Sequence, residues 1–197
     1  MCGRFIVNED ALAAAERITP VPSWIQEKFR FGTIYPSQSS LVLKQVYEER
    51  SRTFQIKADL LPFGFRSSSL KKQMINARAD SVLTKPMYRK AAAKDRCVVV
   101  CSRFYEWTPE KKPYLFFLPD QTMFLAGLVM EGGFLIITTD ANESVKDIHH
   151  RMPVILNEKE AEDFLKEKDS LKHFLTEPSP YLKSVPAFQQ YETLTLF

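Results

Sequence analysis

From Cys97 to Thr138 the chain alternates between short β-rich runs and turn-forming residues, and this pattern constrains its fold more than any other feature. The runs are Cys97–Cys101, Phe104–Trp107, Tyr114–Leu118, Met123–Leu128 and Phe134–Thr138. Several are separated by tight turns, at Pro109 to Pro113, Pro119-Asp120 and Gly132-Gly133. Short turns join antiparallel neighbours, so the stretch predicts a mainly antiparallel sheet or partly open β-barrel. Short helices flank it. Asn8 is placed to cap one over Glu9–Arg17 before Pro20, and Pro86 suits the first turn of another reaching about Lys94. Asn142 predicts a short helix to Ile148. Asn157 with Glu160 forms an N-x-x-E capping signal for a helix through Phe164 and Leu165, with a further one at Leu171–Leu175. Leu41–Val46 reads as a strand, Tyr35–Gln38 as a turn, Leu60–Phe65 as an apolar run broken by Pro62 and Gly64, and Ser67–Ser69 as a loop. The expectation is one α+β domain over residues 2–197, with no repeat or linker.

A chain of 197 residues, 45% hydrophobic, is long enough to bury about 70% of its unfolded surface. Its most continuous apolar stretches, Phe124–Met130 and Phe134–Ile137, fall far short of the roughly 20 residues that span a bilayer. No basic segment followed by an apolar one opens the chain, and the three cysteines include no C-x-x-C pair. These features predict a cytoplasmic protein without membrane association. Cys97 and Cys101, flanking three valines, read as inert core thiols. A net charge of +3 is compatible with nucleic acid but does not select it.

Chemistry enters at Met1-Cys2-Gly3-Arg4. Removal of the methionine makes Cys2 an N-terminal cysteine with a thiol and a free α-amine on adjacent carbons. Such an amine titrates near ~7.7–8.0 and a free thiol near ~8.5, so both are partly unprotonated at neutral pH. An aldehyde can form a Schiff base with the amine and then be closed on by the thiol, giving a thiazolidine ring. An internal cysteine cannot do this.

Further polar clusters interrupt otherwise apolar segments. Ile75–Asp80 alternates Asn76, Arg78 and Asp80 with small residues, which puts the three on one face of an extended segment. Phe104–Trp107 holds the Glu106 carboxylate within an aromatic strand, and Ile148–Pro153 carries His149, His150 and Arg151. Each has a plainer reading. Glu106 can be a strand's solvent-facing residue, Asn76 a satisfied buried amide and His150 a solvated histidine. Arg78 and Arg151 can pair with structural carboxylates such as Asp80 and Asp147.

Taken in order, the clusters closely resemble the SRAP (SOS response-associated peptidase) family, which processes abasic sites in single-stranded DNA. The resemblance rests on Cys2-Gly3-Arg4, Pro36-Ser37-Gln38, Asn76-Ala77-Arg78-Ala79-Asp80, Phe104-Tyr105-Glu106-Trp107, Ala126-Gly127-Leu128, Thr138-Thr139 with Ala141-Asn142, and Ile148 through Leu156. It covers roughly residues 2–156. Departures are visible too. The segment Ala58–Gly64 lacks both tryptophans of the family pattern, Asp80 stands for the usual glutamate, and the end, Tyr191–Phe197, lacks a Val-Asn element.

The resemblance implies catalytic roles for Cys2, Asn76, Glu106 and His149, and DNA-phosphate contacts from Arg4, Arg78 and Arg151. Lys71, Lys72 and Arg103 are weaker candidates. With the tryptophans missing, Phe63 or Phe65 would have to stack on a base beside the lesion. Glu106, walled by Tyr105 and Trp107, would act as a proton donor with a raised pKa. His149 would be a second acid/base, and Asn76 would orient the amine. The expected product is a covalent thiazolidine crosslink that shields the lesion, with self-peptidase activity a possible route to the free amine. No cofactor or metal is expected, since Cys2, His149 and His150 lack ligand spacing. The expected partner is single-stranded DNA with abasic sites, and the protein is expected to be a monomer. Two alternatives fit the same residues: an N-terminal-nucleophile cysteine amidase or peptidase, and a non-catalytic single-strand DNA-binding module.

Overall fold

The computed structural model describes residues 2–49, 52–66, 72–166 and 171–187. Met1, Ser67–Ser69, Lys71 and Tyr191–Phe197 lie outside them. In chain order the elements are β1 (Phe5–Val7), α1 (Glu9–Ile18), α2 (Ser23–Lys28), β2 (Gly32–Ile34), β3 (Ser39–Glu48), β4 (Thr53–Pro62), β5 (Asn76–Arg78), α3 (Ala79–Val82), α4 (Pro86–Lys94), β6 (Arg96–Cys101), β7 (Arg103–Trp107), β8 (Pro113–Phe117), β9 (Met123–Met130), β10 (Gly133–Asp140), β11 (Arg151–Pro153), β12 (Ile155–Leu156), α5 (Glu158–Lys166), α6 (Leu171–Thr176) and β13 (Lys183–Pro186).

The strands form two open sheets rather than a closed barrel, in a mixed α+β fold. One runs β13-β8-β7-β1-β2, the other β11-β10-β9-β6-β3-β4, with β12 on β9 and β5 on β10. Among the described residues every ladder between these strands is antiparallel except β5 with β10. Tight turns produce the hairpins β7–β8 and β9–β10, as their sequences require. At the centre of the larger sheet every residue of β6 is buried. A strand covered on both faces reads as a continuous apolar run, which is what Cys97–Cys101 shows. Arg96, at the head of β6, is fully buried with its guanidinium 5.4 Å from the Phe164 ring centre.

Helix starts follow the capping chemistry. Asn8 accepts a hydrogen bond from the Ala11 amide at 3.2 Å. Asn157 and Glu160 form a reciprocal box: the Asn157 amide donates to the Glu160 carboxylate (2.8 Å) and the Glu160 amide to Asn157 Oδ1 (2.9 Å). Such caps contribute about 1 kcal/mol each. α5 turns Ala161, Phe164 and Leu165 inward and its charges to solvent.

Two expectations are corrected. Residues 143–148 form successive turns rather than a continuous helix, although Asn142 Oδ1 accepts from Ser144 (amide 3.0 Å, hydroxyl 2.6 Å) as an N-cap does. The run broken by Pro62 and Gly64 is, up to Pro62, the end of the edge strand β4, a position where proline is tolerated. Past it the chain crosses β10, with the Gly64 amide donating to the Phe134 carbonyl at 2.8 Å.

Candidate active site

The site forms where the start of the chain meets both sheets. In the smaller sheet β1 pairs with β7 through Phe5 and Phe104, and the Tyr105 amide donates to the Arg4 carbonyl at 2.9 Å. Strand alternation then assigns the faces. Phe104 and Glu106 turn inward, 0% and 1% exposed, while Tyr105 and Trp107 lie half-buried on the outer face. Cys2, just before β1, is itself fully buried. From the larger sheet, the parallel register of β5 on β10 sets Asn76 beside Ile136. Asn76 Nδ2 donates to the Cys2 carbonyl at 3.1 Å and lies 3.5 Å from that of Ile136. Its Oδ1 is buried without a hydrogen-bond partner among the described residues. An orphan acceptor of this kind costs about 1–3 kcal/mol, so it marks a position waiting for a donor.

Burial pushes the Glu106 carboxyl up to about 7 from the ordinary 4.5. At neutral pH it is divided between acid and carboxylate, the state suited to moving a proton in either direction. The expectation that Tyr105 and Trp107 wall this group is corrected. They occupy the opposite face of β7 and stack on each other at 6.0 Å, so the desolvation comes from the space between the sheets. The Cys2 thiol is held well above its ordinary range, first by burial, then by the Glu106 carboxylate and by Cys101. Its sulfur lies 3.8 Å from the Arg4 carbonyl, an acceptor for a thiol proton. The resting group is therefore a thiol, not a thiolate. Cys97 and Cys101 are likewise buried, with thiol pKa values raised by burial.

His149 follows the turns from Asn142. Its Nδ1 lies 3.0 Å from both the amide nitrogen and the carbonyl oxygen of Arg151. When Nδ1 accepts the amide proton, the neutral ring carries its own proton on Nε2. Burial lowers the ring's pKa, with the Arg151 charge adding to the effect. His150 stacks on His149 at 4.5 Å, and a positive charge there would lower the Glu106 pKa. This links the histidine pair to the carboxyl beside Cys2. Asn142, marked in the sequence as a cap and as part of the approach to the histidine, anchors the segment by donating to the carbonyls of Ser179 (2.9 Å) and Pro180 (3.0 Å).

The arginines divide. Arg4 and Arg78 are exposed, Arg78 paired with Asp80 at 2.7 Å. Arg151 is 4% exposed and bonded to Asp140, not Asp147, and to the Thr138 carbonyl (2.6 Å), so it faces inward and ties β11 to β10. Phe63 offers no face to a base. Its ring is wholly buried between Phe5 and Phe134, each 5.3 Å away, and Phe65 is 9% exposed. Both aromatics expected to stack belong to the core. Arg103 lies over Phe117 and lines a separate cleft of about 1110 Å³ together with Asp10, Arg17 and Asp120. Among the described residues no group of three His, Cys, Asp or Glu side chains could hold a metal, and no helix is long and apolar enough to cross a membrane.

The profile of the SOS response associated peptidase (SRAP) family matches residues 1–191. This chain belongs to the SRAP family. It is 31% identical over 194 residues to the abasic site processing protein YoqW of Bacillus subtilis, covering 89% of this chain and 84% of that one. With YobE of the same organism, also an abasic site processing protein, identity is 32% over 89% and 86%. Chicken HMCES, of the same description, is 30% identical over 71% of this chain and 55% of its own. A crystal structure of a protein from Bacteroides thetaiotaomicron shares the SRAP chain's fold, with a TM-score of 0.73 at 21% identity, covering 94% and 91%.

Proposed function

We propose that this protein processes abasic sites in single-stranded DNA by forming a covalent thiazolidine crosslink through Cys2 once Met1 has been removed. The observation that carries the reading is the conjunction at Cys2. A buried thiol kept protonated sits beside a carboxyl that titrates near 7, with the Cys2 backbone held by an amide whose own acceptor is vacant. Membership of the SRAP family and the names of the relatives support the substrate class.

The chemistry runs in balanced steps. Hydrolysis of the Met1–Cys2 peptide bond frees the α-amine. The unprotonated amine adds to C1′ of the ring-opened deoxyribose, and the aldehyde oxygen takes up a proton to give a carbinolamine. Glu106 in its acid form donates a proton to that hydroxyl, which leaves as water, and a protonated imine remains beside the Glu106 carboxylate. The Cys2 sulfur then bonds to the iminium carbon while its proton passes to the Glu106 carboxylate, which leaves the ring nitrogen neutral and restores the acid. Sulfur and amine share one residue, so the effective molarity can reach about 10⁵ M, which favours closure over imine hydrolysis. Asn76 Oδ1 is suited to accept from the amine, and neutral His149, in the tautomer that carries its proton on Nε2, is suited to the sugar's ring oxygen as it opens.

The protonated thiol weighs against a thiolate-first amidase, since an acyl-transfer cysteine needs its pKa lowered rather than raised. The test mixes the purified protein with uracil-glycosylase-treated single-stranded DNA and resolves the products on a denaturing gel without reductant. A shifted band absent in Cys2→Ala and slowed in Glu106→Ala is expected. Normal crosslinking by Cys2→Ala would overturn the mechanism, and turnover of small amides would favour the amidase. Mass spectrometry of the active protein reports whether Met1 is gone, and the same measurement on Glu106→Ala reports whether removal depends on the site.

A further inference from the structure

With Phe63 and Phe65 in the core, a different surface must meet the base beside the lesion, and we infer that Tyr35 is the stacking residue, presented with the Arg4 guanidinium and Trp107 at the rim of the Cys2 site. The inference rests on the DNA reading proposed above and names a contact within it. Tyr35 is 42% exposed, the outer member of an ordered stack. The Arg4 guanidinium carbon lies 4.8 Å from the Tyr35 ring centre and 5.0 Å from that of Trp107, which in turn stacks on Tyr105 at 6.0 Å and 23°. One side of Tyr35 covers the cation, and its exposed surface is available to a nucleobase. Arg4 and Trp107 lie on the outer face of the small sheet. The same strands carry Glu106 inward one residue before Trp107, and Cys2 lies two residues before Arg4. A strand kinked over this end of the sheet sets a flanking base on Tyr35 and the open sugar at Cys2.

The tyrosine is rigidly mounted. Its amide donates to Gln38 Oε1 (2.9 Å), and its carbonyl accepts from the Gln38 amide (3.0 Å). The same turn is bonded twice to the backbone of Phe63: the Ser37 amide to the Phe63 carbonyl and the Phe63 amide to the Gln38 carbonyl, both 2.8 Å. Ser37 adopts a φ of +75°, a conformation that a non-glycine residue holds only when its surroundings fix it. Phe63 thus buries its ring and lends its backbone to hold the exposed aromatic. A preorganised ring beside a cation gives sequence-tolerant base stacking, because every base has a π-face and the guanidinium stays free to meet the adjoining phosphate.

The experiment uses single-stranded DNA with 2-aminopurine next to a tetrahydrofuran residue, an abasic analogue with no aldehyde, titrated with protein while fluorescence is read. Wild type should quench the probe. Tyr35→Phe, which keeps the π-face, should match it, and Tyr35→Ala should lose the quenching and bind roughly five- to hundredfold more weakly. Unchanged quenching and affinity in Tyr35→Ala overturn the inference, and so does equal weakening in Tyr35→Phe. Failure of the wild-type protein to crosslink a genuine abasic site would instead remove the proposed function, and the unreactive analogue reads stacking whether or not that happens.

Discussion

Replacing Glu106 with glutamine should make the protein more stable and less active, with a pH signature that identifies the cause. A carboxyl that titrates at about 7 in the fold and near 4.5 when unfolded binds its proton more tightly in the native state. Below about 4.5 both states are protonated and burial carries no ionic penalty. As pH rises from there the unfolded chain releases the proton first, so native stability falls until the folded group also ionises near 7. At about 1.4 kcal/mol per pH unit the full penalty is about 3 kcal/mol. Glutamine has nearly the same shape and never ionises. Glu106→Gln should therefore match wild type near pH 4.5 and exceed it by about 3 kcal/mol at pH 8, roughly 6–12 °C in Tm for a chain of this size. Urea unfolding of both proteins at pH 4.5, 6 and 8 measures the gap. A gap that is absent at pH 8, or equally large at pH 4.5, refutes the assignment of Glu106 as a desolvated carboxyl.

The same titration should shape the proposed crosslinking. Crosslinking rate should follow a bell with its maximum between pH 7 and 8, rising as an amine of pKa about 7.7–8.0 deprotonates and falling as Glu106 ionises. Glu106→Gln should flatten the falling limb in a single-turnover pH profile, and a limb that persists assigns the acid elsewhere. Iodoacetamide at pH 8 should label none of Cys2, Cys97 and Cys101 at the rate of a free cysteine, because all three are buried with raised thiol pKa values. Rapid labelling of Cys2, read by mass spectrometry, contradicts the protonated resting thiol. Arg78→Glu should weaken single-strand binding, reduce the logarithmic salt dependence by about 0.7 and leave reaction with a small aldehyde intact. Its exposed pair with Asp80 contributes less than about 1 kcal/mol, so unfolding curves should barely move. Gly133→Ala should cost about 2 kcal/mol or more, because its Cβ would sit 2.6 Å from the Pro62 carbonyl oxygen and against that of Gly64, both backbone atoms. A neutral result by thermal melting means that this crossing yields.

Local chemistry was legible in the order of residues. The Asn157–Glu160 box, the Asn8 cap, the proline-led α4 and the antiparallel hairpins each depend on groups a few positions apart, and each formed where its residues predict. The ordered motifs also brought Cys2, Asn76, Glu106 and His149 forward as a set. Less legible was which face each side chain takes. Tyr105 and Trp107 read as neighbours of Glu106 because they flank it, yet a pleated strand sends them to the other side. Phe63 and Phe65 read as stacking candidates because the family's tryptophans are missing from this segment, and both belong to the core. Asn142 read as a helix cap; its side chain does accept from the Ser144 amide, but the segment it opens is a run of turns, and its Nδ2 reaches the distant Ser179 and Pro180 carbonyls.

By itself the sequence determined the groups on offer: a cysteine at the second position, a carboxylic acid, an amide and an imidazole, together with the turns and caps that shape each segment. Only the tertiary structure decided their state. Whether Glu106 is an ordinary surface carboxylate or an acid poised near 7 depends on solvent being excluded between two sheets that join residues 2, 76 and 106. Burial belongs to the whole assembly, since the water that would stabilise a charge is removed by atoms distant along the chain. The same holds for Arg4 and Arg151, identical in type, of which packing leaves one in solvent and seals the other against Asp140.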